Sequence, residues 1–427
     1  NSRDVKKNDI FFAIKGKKND GNKFISEALK HKAGCVVTSI RKKKKNRKII
    51  KVKNSISFLN SFAKYKRAHT TSKVISITGS AGKTSLKNLL KELLETFGKT
   101  YSSPKSFNNR IGVPISLSNL STNDKFGVFE VGMSKAGEIK KLTKLIKPHI
   151  GVITNIGEAH LENFKNIAGI AEAKSEIIEN IESGGTIILN RDDKFFYKLN
   201  KKAKAHQLKV ISFGKNKKSD ICAQKFTRKG NFSHVLIKAK DNKLSLKIKD
   251  LNIYNLLASI AVLTELKLNI QIIKYKLKYI EPSEGRGKLH SVYRYKKAFK
   301  FIDESYNANP LSVRNAIKKF NSIKNKKIKK YLILGDMLEL GSKSKKYHEQ
   351  LSKVINKTNI NKVLVKGKKT IFTYKHLNKE KRGNILQNSE DIDIYLSKMI
   401  SNNDYLMIKG SNATGLNDFS EKMIKGR

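Results

Sequence analysis

The string Val74-Ile75-Ser76-Ile77-Thr78-Gly79-Ser80-Ala81-Gly82-Lys83-Thr84-Ser85 constrains this chain more than any other. A β-favouring run enters a short glycine turn, and a Lys-Thr pair then opens a helical stretch over residues 85–96. That order turns backbone N–H groups inward at the positive end of a helix dipole, an arrangement that holds phosphate. In such a loop Lys83 bridges the β- and γ-phosphates, and the Thr84 hydroxyl can ligate Mg²⁺. Thr78, Gly79, Ser80, Ala81, Gly82, Lys83, Thr84 and Ser85 are therefore candidates for ATP binding. The general pattern has a glycine five positions before the Gly-Lys pair, where this chain has Ile77, so the loop is a shortened variant. An ordinary strand-to-helix turn is the bland alternative, and Gly-Lys-Thr in this slot argues against it. The loop implies a nucleotide and leaves kinase, ATPase and ligase chemistry open.

Around the loop the pattern is that of a parallel α/β sheet. Strands are expected at 125–131, 149–155 and 185–189, with helices at 137–145 and 167–181 between them. Residues 232–246 alternate like an antiparallel hairpin, and 252–266 read as a helix. Upstream, short strands at 10–14 and 35–39 accompany helices at 23–31 and 55–68. Downstream of a turn at 282–287, strands at 299–303, 330–334, 362–365 and 404–408 again alternate with helices. The expected fold class is α/β in three domains. A small N-terminal α/β domain (1–72) and a C-terminal Rossmann-like α/β domain (284–427) flank a central P-loop, parallel-sheet ATPase domain (73–283).

Charge and cysteine content narrow the partners. The formal net charge is +55, which invites a nucleic-acid reading. The lysines are instead spread along the whole chain, with small runs at 42–45, 215–218 and 326–330 and no array of stacking aromatics beside them. Lysine, Asn and Ile are abundant and Trp is absent, which fits drift toward A/T-rich codons at tolerant surface positions. No nucleic-acid partner is expected. Cys35 and Cys222 lie far apart, so neither a disulfide framework nor a zinc site is expected. There is no apolar run of membrane-spanning length and no signal-peptide pattern at Asn1-Ser2-Arg3-Asp4, so the expected location is cytoplasmic. With Asn1 first in place of Met, the natural start is expected upstream.

Further candidates cluster at strand ends. Glu130 closes a strand, where open α/β sheets bind ligands, and its carboxylate suits Mg²⁺. His160, in Thr154-Asn155-Ile156-Gly157-Glu158-Ala159-His160, reaches the same rim. Lys174 lies on the helix that follows, and its local context alone does not distinguish it from the many other lysines.

At this point the residues resemble a family, the Mur ligases of peptidoglycan synthesis, over nearly the whole chain. The resemblance rests on Ser2-Arg3, Asp20-Gly21, the glycine loop, Asn108-Asn109-Arg110-Ile111-Gly112-Val113-Pro114, Asn155-Ile156-Gly157-Glu158-Ala159-His160-Leu161 and Ala173-Lys174-Ser175-Glu176. It continues through Asp303-Glu304-Ser305-Tyr306-Asn307-Ala308-Asn309-Pro310, Leu334-Gly335-Asp336-Met337-Leu338-Glu339-Leu340-Gly341 and Lys409-Gly410-Ser411. Within the family, Tyr306-Asn307-Ala308-Asn309 and the Gly335 string resemble the member that adds D-alanyl-D-alanine to UDP-MurNAc-tripeptide. The Asp-Asn-Pro-Arg string of the diaminopimelate- or lysine-adding relative is absent. That relative and the folylpolyglutamate synthetases remain the alternatives.

The resemblance implies ATP-driven amide formation through an acyl phosphate, by a monomer with two Mg²⁺ ions. By similarity, Lys83, Lys174 and His160 are catalytic. Thr84, Glu130, His160 and a carbamylated Lys174 hold the metal ions. Asn252 and Asn255 contact adenine, although Leu251 stands where the family has a histidine. Arg286 and Asp303 reach ATP from the third domain, which must close on the central one. Asn108 and Asn109 contact the muramoyl substrate, and Ser2 and Arg3 its UDP portion. Tyr306, Asn307 and Ser411 contact the peptide or dipeptide, with Asn412 replacing a frequent arginine.

Overall fold

The computed structural model describes residues 2–16, 19–40, 46–229, 232–239, 242–323 and 327–426. The basic run at 42–45 and Lys326 of the third run lie outside them. Three sheets carry the described chain.

The first sheet has three parallel strands, Ile10–Ala13, Cys35–Thr38 and Ile49–Lys51. The helix Ser55–Ala68 follows, started by Asn54, whose side chain accepts from the Ile56 and Ser57 amides. At its far end Arg67 is buried and donates to Ile146 O (2.7 Å), Lys147 O (2.6 Å) and Glu182 Oε1 (2.8 Å). A guanidinium on the last carbonyls of the helix Glu138–Ile146 complements its negative dipole end. Burial holds the Arg67 guanidinium below its ordinary range, with Glu182 opposing that shift.

The central sheet has nine strands. Its strand Lys73–Thr78 pairs in parallel with Phe126–Glu130 on one side and Ile150–Ile153 on the other. It is buried from Val74 to Thr78 without alternation because both faces are covered, one of them by the helices Lys83–Leu94 and Ile253–Glu265. The chain leaves Lys73–Thr78 toward one edge (Thr100–Ser102, Phe126–Glu130) and later continues toward the other (Ile150–Ile153, Thr186–Asn190, Lys209–Gly214). The glycine loop therefore sits where the strand order reverses, the crevice in which open α/β sheets take ligands.

Several elements differ from the sequence reading. The helix after the glycine loop begins at Lys83, two residues early, because Gly82 adopts φ +84° and serves as its cap. The helix expected over 167–181 is an α-helix, Ile167–Ser175, that tightens into a 3₁₀ segment, Glu176–Asn180. Ser175 Oγ bonds back to Glu172 O at that junction, and the Glu176 carboxylate accepts from the Gly137 and Lys140 amides. The hairpin is there as Phe232–Ala239 and Asn242–Ile248, joined by a third antiparallel strand, Ile221–Lys229, that the alternation did not reveal.

The third sheet has six strands, all parallel except for the opening hairpin Lys288–Arg294/Lys297–Glu304. Its helix Pro310–Asn321 has a full capping box at Asn309 and Ser312 and buries Val313 and Ile317. Those residues join Ile153, Ile156 and Leu161 of the central unit in one apolar cluster. Truncating a fully buried aliphatic side chain such as Val313 there would cost about 2–4 kcal/mol.

Candidate active site

The glycine loop is held in shape from outside. Gly79 has φ +147°, and a Cβ on it would fall 1.9 Å from Thr154 Oγ1, so only glycine fits. Ser80 N donates to Asn155 O (3.0 Å) and Ala81 N to Asn155 Oδ1 (2.9 Å). Thr154 Oγ1 and Asn155 Nδ2 both donate to Ala81 O, at 2.7 and 3.0 Å. The first turn amides are thus occupied within the protein, and the amides opening the helix at Lys83 and Thr84 are those available to phosphate. Lys83 Nζ rests on Gly79 O at 2.8 Å. Desolvation holds its ammonium below the usual lysine range, with the nearby Glu130 charge working against the shift.

Beside the loop, Thr84 Oγ1 donates to Glu130 Oε2 at 2.6 Å, and Asn108 Nδ2 donates to Glu130 Oε1 at 2.7 Å. Glu130 is only 2% exposed, so both its oxygens are oriented by neighbours. Across the cleft, His160 has φ +57°, and its Nδ1 lies 2.6 Å from Glu339 Oε2, a short contact poorly aligned for a hydrogen bond. The His160 imidazole and the Lys83 charge hold the Glu339 carboxylate below its ordinary range, against a partial desolvation that raises it. Lys174 is 1% exposed, and desolvation, together with the Lys83 charge, lowers its pKa well below the ordinary lysine value. No described group of three or more His, Cys, Asp or Glu residues could cage a metal ion. A Mg²⁺ ion fits this donor set only if phosphate oxygens and water complete its shell, which is its usual habit.

The third unit supplies the opposite wall. Asn309 Nδ2 donates to Ser80 O at 3.0 Å, reaching the glycine loop itself. Arg314 Nη2 donates to both oxygens of Glu158, at 3.0 and 2.8 Å. The Arg286 guanidinium lies 4.0 Å over the Tyr306 ring, and Tyr306 OH meets Ser106 Oγ at 2.5 Å. Central and third units together enclose a cleft of about 1570 Å³.

The cleft brings together most of the residues singled out from the sequence: Ser80 to Ser85, Glu130, His160, Asn108 and Asn109. Asn252, Asn255, Arg286, Tyr306, Asn307 and Ser411 also line it. Asn255 Nδ2 approaches Gly82 O at 3.4 Å, while the Asn252 side chain caps its own helix. Asn109 is similarly turned to the Ile111 and Gly112 amides, and Asn307 Oδ1 to the Ala308 amide. Ser411 Oγ lies between Leu338 N and Ala308 O.

Other residues stand apart. Thr78, Gly79 and Lys174 do not line the cleft, and Ser2 and Arg3 belong to the first unit. Asp303 does not face the cleft either. Its Oδ2 accepts from Gly285 N (2.8 Å) and its Oδ1 from Ser305 N and Oγ (3.1 and 2.6 Å). Its carboxylate therefore shapes the 283–287 loop that carries Arg286. Sequence reasoning passed over Asn309, Glu339, Lys87 and Arg314. The first two stand inside quoted motifs, and their strand-end or helix-start positions were the available signal. Nothing local marked Lys87 or Arg314.

Two family models match the chain: the Mur ligase middle domain over residues 77–263, and the Mur ligase glutamate ligase domain over residues 289–412. Among curated proteins, the UDP-N-acetylmuramoyl-tripeptide–D-alanyl-D-alanine ligase of Buchnera aphidicola subsp. Acyrthosiphon pisum is 33% identical, covering 97% of this chain and 90% of that protein. The enzyme of the same name from Rickettsia prowazekii is 31% identical, covering 97% and 92%. Among solved structures, MurF from Acinetobacter baumannii superposes with a TM-score of 0.87 at 25% identity, covering 100% of this chain and 92% of that one. The MurF ligase of Thermotoga maritima in complex with ADP gives 0.85 at 27% identity, covering 100% and 96%.

Proposed function

This chain belongs to the Mur ligase family, and we propose that it joins D-alanyl-D-alanine to UDP-N-acetylmuramoyl-tripeptide with ATP, completing the pentapeptide precursor of peptidoglycan. The observation that carries this reading is a phosphate loop closed in one cleft by a second unit whose Asn309 touches the loop backbone. A ligase that makes an acyl phosphate needs such an enclosure, because water would otherwise hydrolyse the intermediate.

In the first step, an oxygen of the tripeptide's terminal carboxylate forms a bond to the γ-phosphorus and ADP leaves. In the second, the dipeptide amine attacks the acyl carbon, a tetrahedral intermediate forms, and inorganic phosphate departs while the amine loses its proton. Lys83 and the helix N-terminus at Lys83–Thr84 oppose the phosphate charge. Asn252 and Asn255 hold the base. Asn108 and Asn109 face the muramoyl substrate, with Ser2 and Arg3 toward its UDP end. Arg286, Tyr306, Asn307 and Ser411 bring the acceptor side from the third unit, and Asp303 acts by fixing the loop that presents Arg286.

Thr84, Glu130 and His160 would hold Mg²⁺, which, when bound, neutralises developing phosphate charge. Lys174, as a carbamate, would join them. Burial favours its neutral amine, the form that adds CO₂ to give an anionic oxygen donor and release a proton. No described helix is long and apolar enough to cross a membrane, and the reading is of a monomeric, cytoplasmic enzyme.

Phosphate release measured with UDP-MurNAc-tripeptide, ATP and a panel of acceptors tests the proposal. Stimulation by D-alanyl-D-alanine alone is expected. Selective stimulation by diaminopimelate, lysine or glutamate would replace it with another ligase of the family.

A further inference from the structure

Lys87 lies one turn beyond Thr84 on the phosphate-loop helix and is 1% exposed. Among the described residues no carboxylate forms an ion pair with it. Its Nζ instead donates to two main-chain carbonyls, Ser103 O at 2.5 Å and Lys105 O at 2.6 Å. Desolvation pushes its pKa down to about 8. An ammonium buried with no carboxylate in direct contact, and only the more distant Glu130 charge to favour it, is costly to keep, so a purely structural pin would be better served by an apolar side chain.

The two carbonyls belong to a segment that meets both sides of the cleft. Ser103 Oγ accepts from the Glu130 amide at 3.2 Å, and Asn108 Nδ2 donates to the Glu130 carboxylate at 2.7 Å. Ser106 Oγ, between them in sequence, contacts Tyr306 OH of the third unit at 2.5 Å. We propose that Lys87 is a positioning residue for the muramoyl-peptide end of the cleft, fastening segment 103–108 to the phosphate-binding helix. It sets where Asn108 and the Ser106–Tyr306 pair stand without touching the nucleotide. This inference rests on the ligase reading above.

The test compares wild type with K87M, which keeps the length of the side chain and removes its donors. The KM for UDP-MurNAc-tripeptide is expected to rise about tenfold or more, and that for D-alanyl-D-alanine by a smaller factor through the Ser106–Tyr306 contact, with kcat held within about threefold. ADP affinity by calorimetry should also stay within about threefold, since the lost interactions are with the peptide segment. K87Q, able to donate to one of the two carbonyls, should fall between, and it carries the comparison if K87M does not fold. An unchanged KM for the tripeptide substrate would overturn the proposal. So would equal losses of ADP and tripeptide affinity, which would make Lys87 a general stabiliser. A wild-type chain inactive on this substrate pair would overturn the ligase reading itself, a distinct result.

Discussion

Replacing Asp303 by Asn separates two roles that the family pattern and the geometry assign to this residue. The carboxylate is 3% exposed and accepts from Gly285 N through one oxygen and from Ser305 N and Oγ through the other. An amide has one acceptor atom and one donor. If its oxygen keeps Ser305, its NH₂ faces the Gly285 N–H; if flipped, it orphans Ser305 N. Either way a buried N–H is left unpaired, at about 1–3 kcal/mol. The remaining bonds also weaken from the charged to the neutral range, so the total is about 2–4 kcal/mol. For a unit of this size that corresponds to roughly 5–15 °C in melting temperature, read by scanning calorimetry as a shift of the transition containing the third unit. The loop 283–287 would loosen, carrying Arg286 off the Tyr306 ring and weakening ADP binding only several-fold, a secondary effect of that displacement. A D303N protein that melts like wild type yet loses ADP affinity more than about tenfold would refute this reasoning and mean that Asp303 meets the nucleotide directly.

Other perturbations follow from the same contacts. Arg314→Ala removes the pair with Glu158, which is partly exposed and so contributes about 1 kcal/mol or less. It should raise the KM for ATP by up to about fivefold at low salt and by less at high salt, and insensitivity at low salt would count against a closing role. Lys174→Ala should abolish most turnover, and turnover indistinguishable from wild type would sink the carbamate. Lys87 also predicts a pH signature. Its folded pKa of about 8 lies below the ordinary lysine value, so between about pH 8 and 10 the unfolded chain binds more protons. Stability of wild type relative to K87M should therefore rise with pH across that window, as measured by denaturant unfolding, and a flat or falling difference would contradict the assigned burial.

How much of this was legible depended on whether the signal was local. The glycine loop was, because strand, turn and helix start are contiguous from Val74 to Ser85 and Gly79 fills a position that tolerates no Cβ. Glu130 and His160 were placed by their strand-end and rim positions, and the cleft holds both. Asp303 shows the limit: a strand-end carboxylate reads the same whether it faces a ligand or the amide of a residue 18 positions earlier. Lys87 and Arg314 were invisible for a related reason. Among so many lysines Lys87 carries no local mark, and its burial against Ser103, like the pairing of Arg314 with Glu158, is decided by tertiary packing alone. The strand Ile221–Lys229 escaped because its inward and outward residues do not alternate: Ile221 and Cys222 are both buried, Phe226 is exposed, and the register against its neighbour shifts between Ala223 and Lys225.

Asn309 ties the seating of the third unit to the filling of the phosphate loop, because its amide holds the Ser80 carbonyl of the same loop whose later amides, at Lys83 and Thr84, are open to phosphate. Linkage between two such events is reciprocal. Whatever factor a seated third unit adds to ADP affinity, ADP adds to the seating. One neutral hydrogen bond contributes about 1 kcal/mol, which caps what this contact can share between the two events at a factor of about five in each direction. A molecule that wedged the third unit aside, without entering the loop, would weaken the nucleotide by whatever factor the two events share, up to that ceiling, and would mimic competition from a distance.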